Sequence, residues 1–204
     1  MKRIFLCFLF LASLSVAFSQ HESGSFTLLL GGNVGKFKID AGGNFDKIYT
    51  NQQLAYTGLA GMGNGTTFVI AKYRLFNSSG HSTLTNVDAA GKADWKQRII
   101  SAGFRLQSHE SAVYIDMMYV FNHAEETIST QNPSVDVLAT SQKIDNNGLS
   151  FAVGLAPRII GPLCLDLNVE YSRMLRNPTN NAGREIPNLG ALYYGGGISF
   201  YFNN

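Results

Sequence analysis

Several things are scarce in this chain, and each scarcity excludes something. Among its 204 residues only Cys7 and Cys164 are cysteines, and Cys7 lies inside the first apolar run. If that run is removed a single thiol remains, so no intramolecular disulfide can staple the fold. Charge is sparse and balanced, with sixteen Lys and Arg against fourteen Asp and Glu. Without Lys2 and Arg3 the two signs are equal in number, and no basic surplus marks a nucleic-acid binder. The four histidines, His21, His81, His109 and His123, have no ligand spacing, and neither a metal nor another cofactor is expected. Gly61-Met62-Gly63-Asn64-Gly65 is rich in glycine, but no helical pattern follows it to hold a phosphate. Past residue 19, no apolar run approaches the roughly 20 residues that a membrane helix needs.

What the first segment does have is a leader pattern. Lys2 and Arg3 precede an apolar stretch at 4–16, and Ala17-Phe18-Ser19 is a small-x-small sequence before Gln20. That order reads as a secretory signal peptide over 1–19, with 20–204 as one mature domain. The apolar stretch is too short to span a bilayer. If the mature part enters a membrane it must do so as a closed barrel, because only helices and closed barrels satisfy every backbone group in lipid.

Gly and aromatic residues are plentiful, and alternation with a period of two is the dominant pattern. From Leu163, the residues Leu163, Leu165, Leu167, Val169 and Tyr171 face one way, and Cys164, Asp166, Asn168, Glu170 and Ser172 the other. The strand before it sets Leu149, Phe151, Val153, Leu155, Pro157 and Ile159 against Ser150, Ala152, Gly154, Ala156 and Arg158, and Ile160-Gly161-Pro162 joins the two. The last strand alternates from Leu192 to Phe202. Further strands are expected at 112–125, 95–107, 66–76 and 26–38. Bacterial outer-membrane barrels have even strand numbers, and the eighth is placed at 49–61, joined to the next by Gly63-Asn64-Gly65. Connections then alternate between short ones (63–65, 108–110, 160–162) and long polar ones (39–48, 77–93, 130–143, 177–187). Short turns on one side of the membrane and long loops outside is the pattern of an outer-membrane barrel.

Alternation fits either a soluble barrel with its oily face inside or a membrane barrel with that face in lipid. Lipid is favoured by the polar parity. It holds the mid-strand charges Lys72, Arg74, Arg105, Asp116, Arg158, Asp166 and Glu170, mixed in sign, and the small residues Gly31, Gly35, Gly103, Gly154, Gly195 and Gly197. An eight-stranded lumen is just wide enough for side chains, so those charges are expected to pair across it.

With the signal peptide, the eight alternating strands and the ending Gly195-Gly196-Gly197-Ile198-Ser199-Phe200-Tyr201-Phe202, the chain resembles the small outer-membrane β-barrels of the OmpA/OmpX type. That family usually stops on the aromatic residue, whereas Asn203 and Asn204 follow it here. The resemblance implies an all-β, antiparallel, up-and-down barrel in the outer membrane of a Gram-negative cell. It also implies biogenesis through the barrel-assembly machinery and contact with outer-membrane lipid and lipopolysaccharide. A monomer is expected.

Three candidate sites follow. The lumen charges form either a structural plug or the lining of a narrow transport path for a small or apolar solute. Lys36, Lys96, Arg98 and Arg173, with Lys38 extending the row, lie on the outward parity near extracellular strand ends. There they can meet lipopolysaccharide phosphates or simply solubilise the rim. Trp95, Tyr49, Tyr171 and Tyr194 are candidates for interfacial aromatic girdles. No catalytic residue is expected. Glu170-Tyr171-Ser172-Arg173 and Pro187-Asn188-Leu189-Gly190 faintly resemble the lipid A deacylase (PagL-type) motif. Glu170 stands where the histidine belongs, leaving no base to activate Ser172. His123, Glu125, Thr127 and Ser129 share one face, but alternate residues of a strand lie roughly 7 Å apart, too far for a triad.

Overall fold

The computed structural model describes residues 26–39, 49–83, 90–108, 112–130, 139–175 and 189–203. The leader at 1–19, His21, His109, Pro187, Asn188 and most of the expected loops at 39–48 and 177–187 lie outside them. Alternating sequence becomes strand throughout. In chain order the elements are β1 (Thr27–Ile39), β2 (Asn51–Gln52), β3 (Ala55–Gly63), β4 (Thr67–Thr83), β5 (Ala90–Gln107), β6 (Val113–Thr130), β7 (Ala139–Leu155), β8 (Arg158–Ile160), β9 (Leu163–Met174) and β10 (Ala191–Asn203). Apart from the short β2 and β8, each long strand pairs antiparallel with its sequence neighbours. β10 returns to β1, which closes an eight-stranded barrel with no free lateral edge along that seam.

The stagger of the barrel can be counted. Starting at Leu28, register partners run through Met62, Val69, Phe104, Met117, Phe151, Tyr171 and Leu192 to Lys38, ten residues further along β1. Strand number and stagger together fix the tilt, which for small barrels is roughly 35–45°. All nine residues on that path face outward.

The outer surface carries a belt of exposed apolar side chains. It includes Leu28, Leu30, Tyr73, Ile100, Met117, Phe151, Val153, Leu167, Val169 and Ile198. In water such a belt would be an aggregation site. It has the character of the ~25 Å apolar band that a barrel presents to outer-membrane hydrocarbon.

Strand ends differ from the sequence-based expectation in an instructive way. The expected strand at 49–61 is two pieces: β2 pairs with β4, and β3 pairs with β1. Much of the expected loops at 77–93 and 130–143 is strand, because β4 to β7 run 17 or 18 residues each. Their upper parts have lost the oily outward face by which strands were recognised. At the other end, the tight turn at Gly65 uses a positive φ of 89°. The Asn64 side chain clamps it by accepting from the amides of Thr66 and Thr67 at 3.2 and 2.9 Å.

Candidate functional site

Six of the seven sequence-assigned lumen charges meet inside the barrel. Lys72 and Arg74 come from β4, Arg105 from β5, Asp116 from β6, and Asp166 and Glu170 from β9. None is more than 4 % exposed. In the closed order β4 and β9 stand on opposite walls, so the pairs between them cross the lumen. Arg74 grips Glu170 with two guanidinium nitrogens, at 3.1 and 2.9 Å. Lys72 bridges Glu170 at 3.0 Å and Asp116 at 2.8 Å. Arg105 holds both oxygens of Asp116, at 2.7 and 3.0 Å, and its third nitrogen lies 3.7 Å from Asp166. The result is one continuous chain of alternating sign, with three positive and three negative groups. Burying such charges is costly unless each is paired and hydrogen-bonded, and here each one is.

The sequence reading missed the aromatic scaffold around these charges. Tyr114 donates to Asp166 at 2.6 Å while its ring lies under the Arg105 guanidinium at 3.5 Å. Tyr193 supports Arg74 at 3.9 Å and donates to Asn33 at 2.8 Å. Arg105 also donates to the Tyr201 hydroxyl at 3.2 Å. Two glycines make room: a Cβ on Gly154 would collide with the Tyr114 ring, and one on Gly195 with that of Tyr193. The available signal was parity, since all three tyrosines alternate with outward residues on their strands.

Apolar layers close the charges in on both sides. Toward the end where β1 finishes and β10 begins, Phe37, Phe76, Trp95, Ile99, Ala124 and Ile144 pack together. Toward the other end, Leu29, Phe68, Ile70, Met118 and Tyr201 do the same.

Arg158 is the correction. It belongs to the short β8, where residues 158–160 are all exposed, and it takes no part in the lumen network. The reason is local. β7 ends at Leu155, but its register on β9 carries through to Arg158, which stands opposite the buried Cys164 and shifts only between Arg158 and Ile160. Arg158 keeps its inward side but lies at the open mouth of the barrel, beyond the reach of the six-charge chain.

The collar residues Lys36, Lys96, Arg98 and Arg173, with Lys38, are all exposed and outward. Given the ten-residue stagger, Lys38, Arg98 and Arg173 stand at about the same height, Lys36 slightly below and Lys96 above. They are spread around the wall rather than brought into one cluster. Among the described residues none of them forms an ion pair. Next to them the tall wall carries cross-strand rows: Arg98, His123 and Asp145 in one, and Lys96, Glu125 and Lys143 in the next. The His123 ring bonds the Asp145 carboxylate, and Ser141 donates to Glu125 at 3.2 Å.

The proposed girdle is half right in position. Tyr171 and Tyr194 are outward and exposed, at 48 % and 45 %. Trp95 and Tyr49 are buried within the tall end of the barrel, with rings 5.7 Å apart, and Tyr49 donates to Glu126. Trp95 has the inward parity of Gln97 and Ile99, so it cannot reach lipid. Burial, and then the Glu126 carboxylate, hold the Tyr49 phenol well above its ordinary pKa. Ser172, the hydroxyl in the deacylase-like stretch, is buried and exchanges hydrogen bonds with the Ala191 backbone.

No protein-family model matches the chain, and no curated protein does. Solved structures do. The chain is similar to Ail, the attachment invasion locus protein of Yersinia pestis, crystallised with the heparin analogue sucrose octasulfate. Identity is 14 % over 89 % of this chain and 100 % of that one, with a TM-score of 0.53. It is also similar to the outer membrane protein OprG from Pseudomonas aeruginosa, at 14 % identity over 90 % and 98 % of the two chains, with a TM-score of 0.50. These likenesses establish the fold, an eight-stranded antiparallel barrel resembling known outer-membrane barrels.

Proposed function

We propose that this is a non-enzymatic outer-membrane barrel whose lumen is sealed and whose work is done at its extracellular end. The observation that carries this reading is the neutral six-charge chain lying across the lumen between two apolar layers. A conducting path would have to break paired, buried ions, each costing several kcal/mol to expose singly. The barrel is then an anchor. It would be exported through the leader at 1–19, inserted as the mature 20–204 domain by the barrel-assembly machinery, and act as a monomer presenting four extracellular loops. Single-channel recording in planar bilayers tests the seal. The expected result is a silent bilayer, and reproducible openings would replace the anchor with a transport barrel.

The collar gives the anchor a partner in its own leaflet. Lys36, Lys38, Arg98 and Arg173 ring the top of the apolar belt, the level at which lipopolysaccharide phosphates lie, and Lys96 stands one step above. Charge-assisted contacts to phosphate suit these side chains. The double variant Lys96→Gln/Arg98→Gln is expected to reduce lipopolysaccharide co-purification, and an unchanged amount would reduce the collar to rim solubility.

A further inference from the structure

The opposite rim holds the two most exposed large apolar side chains among the described residues, Ile159 at 60 % and Ile160 at 71 %. They sit on the turn between β7 and β9, where the register shifts between Arg158 and Ile160 and both side chains are left exposed. The other described turn at this end, at Asn64 and Thr66, is polar, so an oily turn is no general property of this rim. The turn is also rigidly held. Its base is bonded by the Leu165 amide to Pro157 at 3.0 Å, and by the Tyr201 amide to Pro162 at 2.8 Å. Gly161 takes a positive φ of 52° at its tip. Ile159 and Ile160 continue the lipid-facing belt downward beside Leu163 and the stacked rings of Phe200 and Phe202. Arg158, opposite the buried Cys164, turns to the inner side of the mouth and leaves the outer side of the turn to the isoleucines.

We infer that the Ile159-Ile160 turn is a lipid wedge. The two isoleucines enter the interfacial zone of the inner, phospholipid leaflet. The occupant follows from continuity, because the turn extends the apolar belt without a polar break. Attachment to a phospholipid interface scales with the apolar area that enters it, and these are the two most exposed apolar side chains described. The wedge fixes the depth and rotation of the barrel on the side of β7, β9 and β10. This inference rests on the membrane reading, and its test separates the two.

The protein is reconstituted in phosphatidylcholine vesicles brominated either near the headgroup or near the chain end. Ile160→Trp reports the turn, Ile159→Trp replaces it if the first variant does not fold, and Val153→Trp reports the middle of the belt. The parent's Trp95, buried in the extracellular end, supplies the unquenched reference. Headgroup-level bromine is expected to remove about half of the added fluorescence of Ile160→Trp, and chain-end bromine that of Val153→Trp. If Val153→Trp is quenched by lipid while Ile160→Trp responds only to aqueous iodide, the turn is in water and the wedge is wrong. If neither responds to brominated lipid, the membrane reading itself falls.

Discussion

The lower and upper halves of the tall wall are built from the same four strands with opposite chemistry. Along β5, the outward residues Leu106, Phe104, Ala102 and Ile100 give way to Arg98, Lys96 and Asp94. The inward residues Arg105, Gly103 and Ser101 give way to Ile99, Gln97, Trp95 and Ala93. β6 and β7 change over in the same register, with Phe121 followed by His123 and Leu149 by Asn147 and Asp145. The backbone does not change at this level; in the proposed membrane placement, the solvent does. Below it lipid takes the oily face, and polar groups must pair inside. Above it water takes the polar face, and the interior packs like an ordinary protein core. The shorter wall of β9, β10, β1 and β3, with 9 to 13 residues per strand, stops near the changeover and carries little of the second kind.

This contrast can be broken at defined points. The largest effect is expected in the buried charge chain. Glu170→Gln leaves Arg74 without its carboxylate and Lys72 with Asp116 alone, and should cost about 3–5 kcal/mol in urea unfolding. Adding Lys72→Met should recover part of that loss, and a cost near zero would mean the interior is wet. Next is Trp95→Ala, which empties the upper core and should cost about 3 kcal/mol. Because the loss lies above the lipid, it should appear first as protease sensitivity of the extracellular half, with the membrane-embedded half still protected. Smaller again is Val153→Arg, which places a charge in the middle of the belt and should cost about 2 kcal/mol. The smallest is its partner on the same strand and the same outward face. Lys143→Leu should change stability by no more than about 0.5 kcal/mol, since that position is in water. Equal penalties for Val153→Arg and Lys143→Leu would show that the wall has no such boundary.

The same boundary explains which readings the sequence allowed. Strand cores were legible because lipid and lumen impose a strict alternation, clearest in Leu163 to Tyr171. The upper parts of β4 to β7 read as polar loop because an inverted strand such as 92–98 has its charges outward and its core residues inward. Trp95 was misplaced because an aromatic near a strand end resembles a girdle residue, although its parity already pointed inward. Arg158 was misplaced because parity gives the side of the wall and not the height: it stands opposite the inward Cys164, but at the mouth, away from the six-charge chain.

The sequence by itself determined the barrel and which face of each strand is oily. Period-two alternation, balanced inward charge and the contrast of short turns with long connections are properties of single strands and their neighbours. Only the tertiary structure decided which charges meet. Register and the ten-residue stagger set Lys72 and Arg74 opposite Glu170 across the lumen, and closure of β10 on β1 brings Tyr193 and Tyr201 to the arginines. Pairing across a barrel depends on how far each strand slides past the next, and no single strand carries that information.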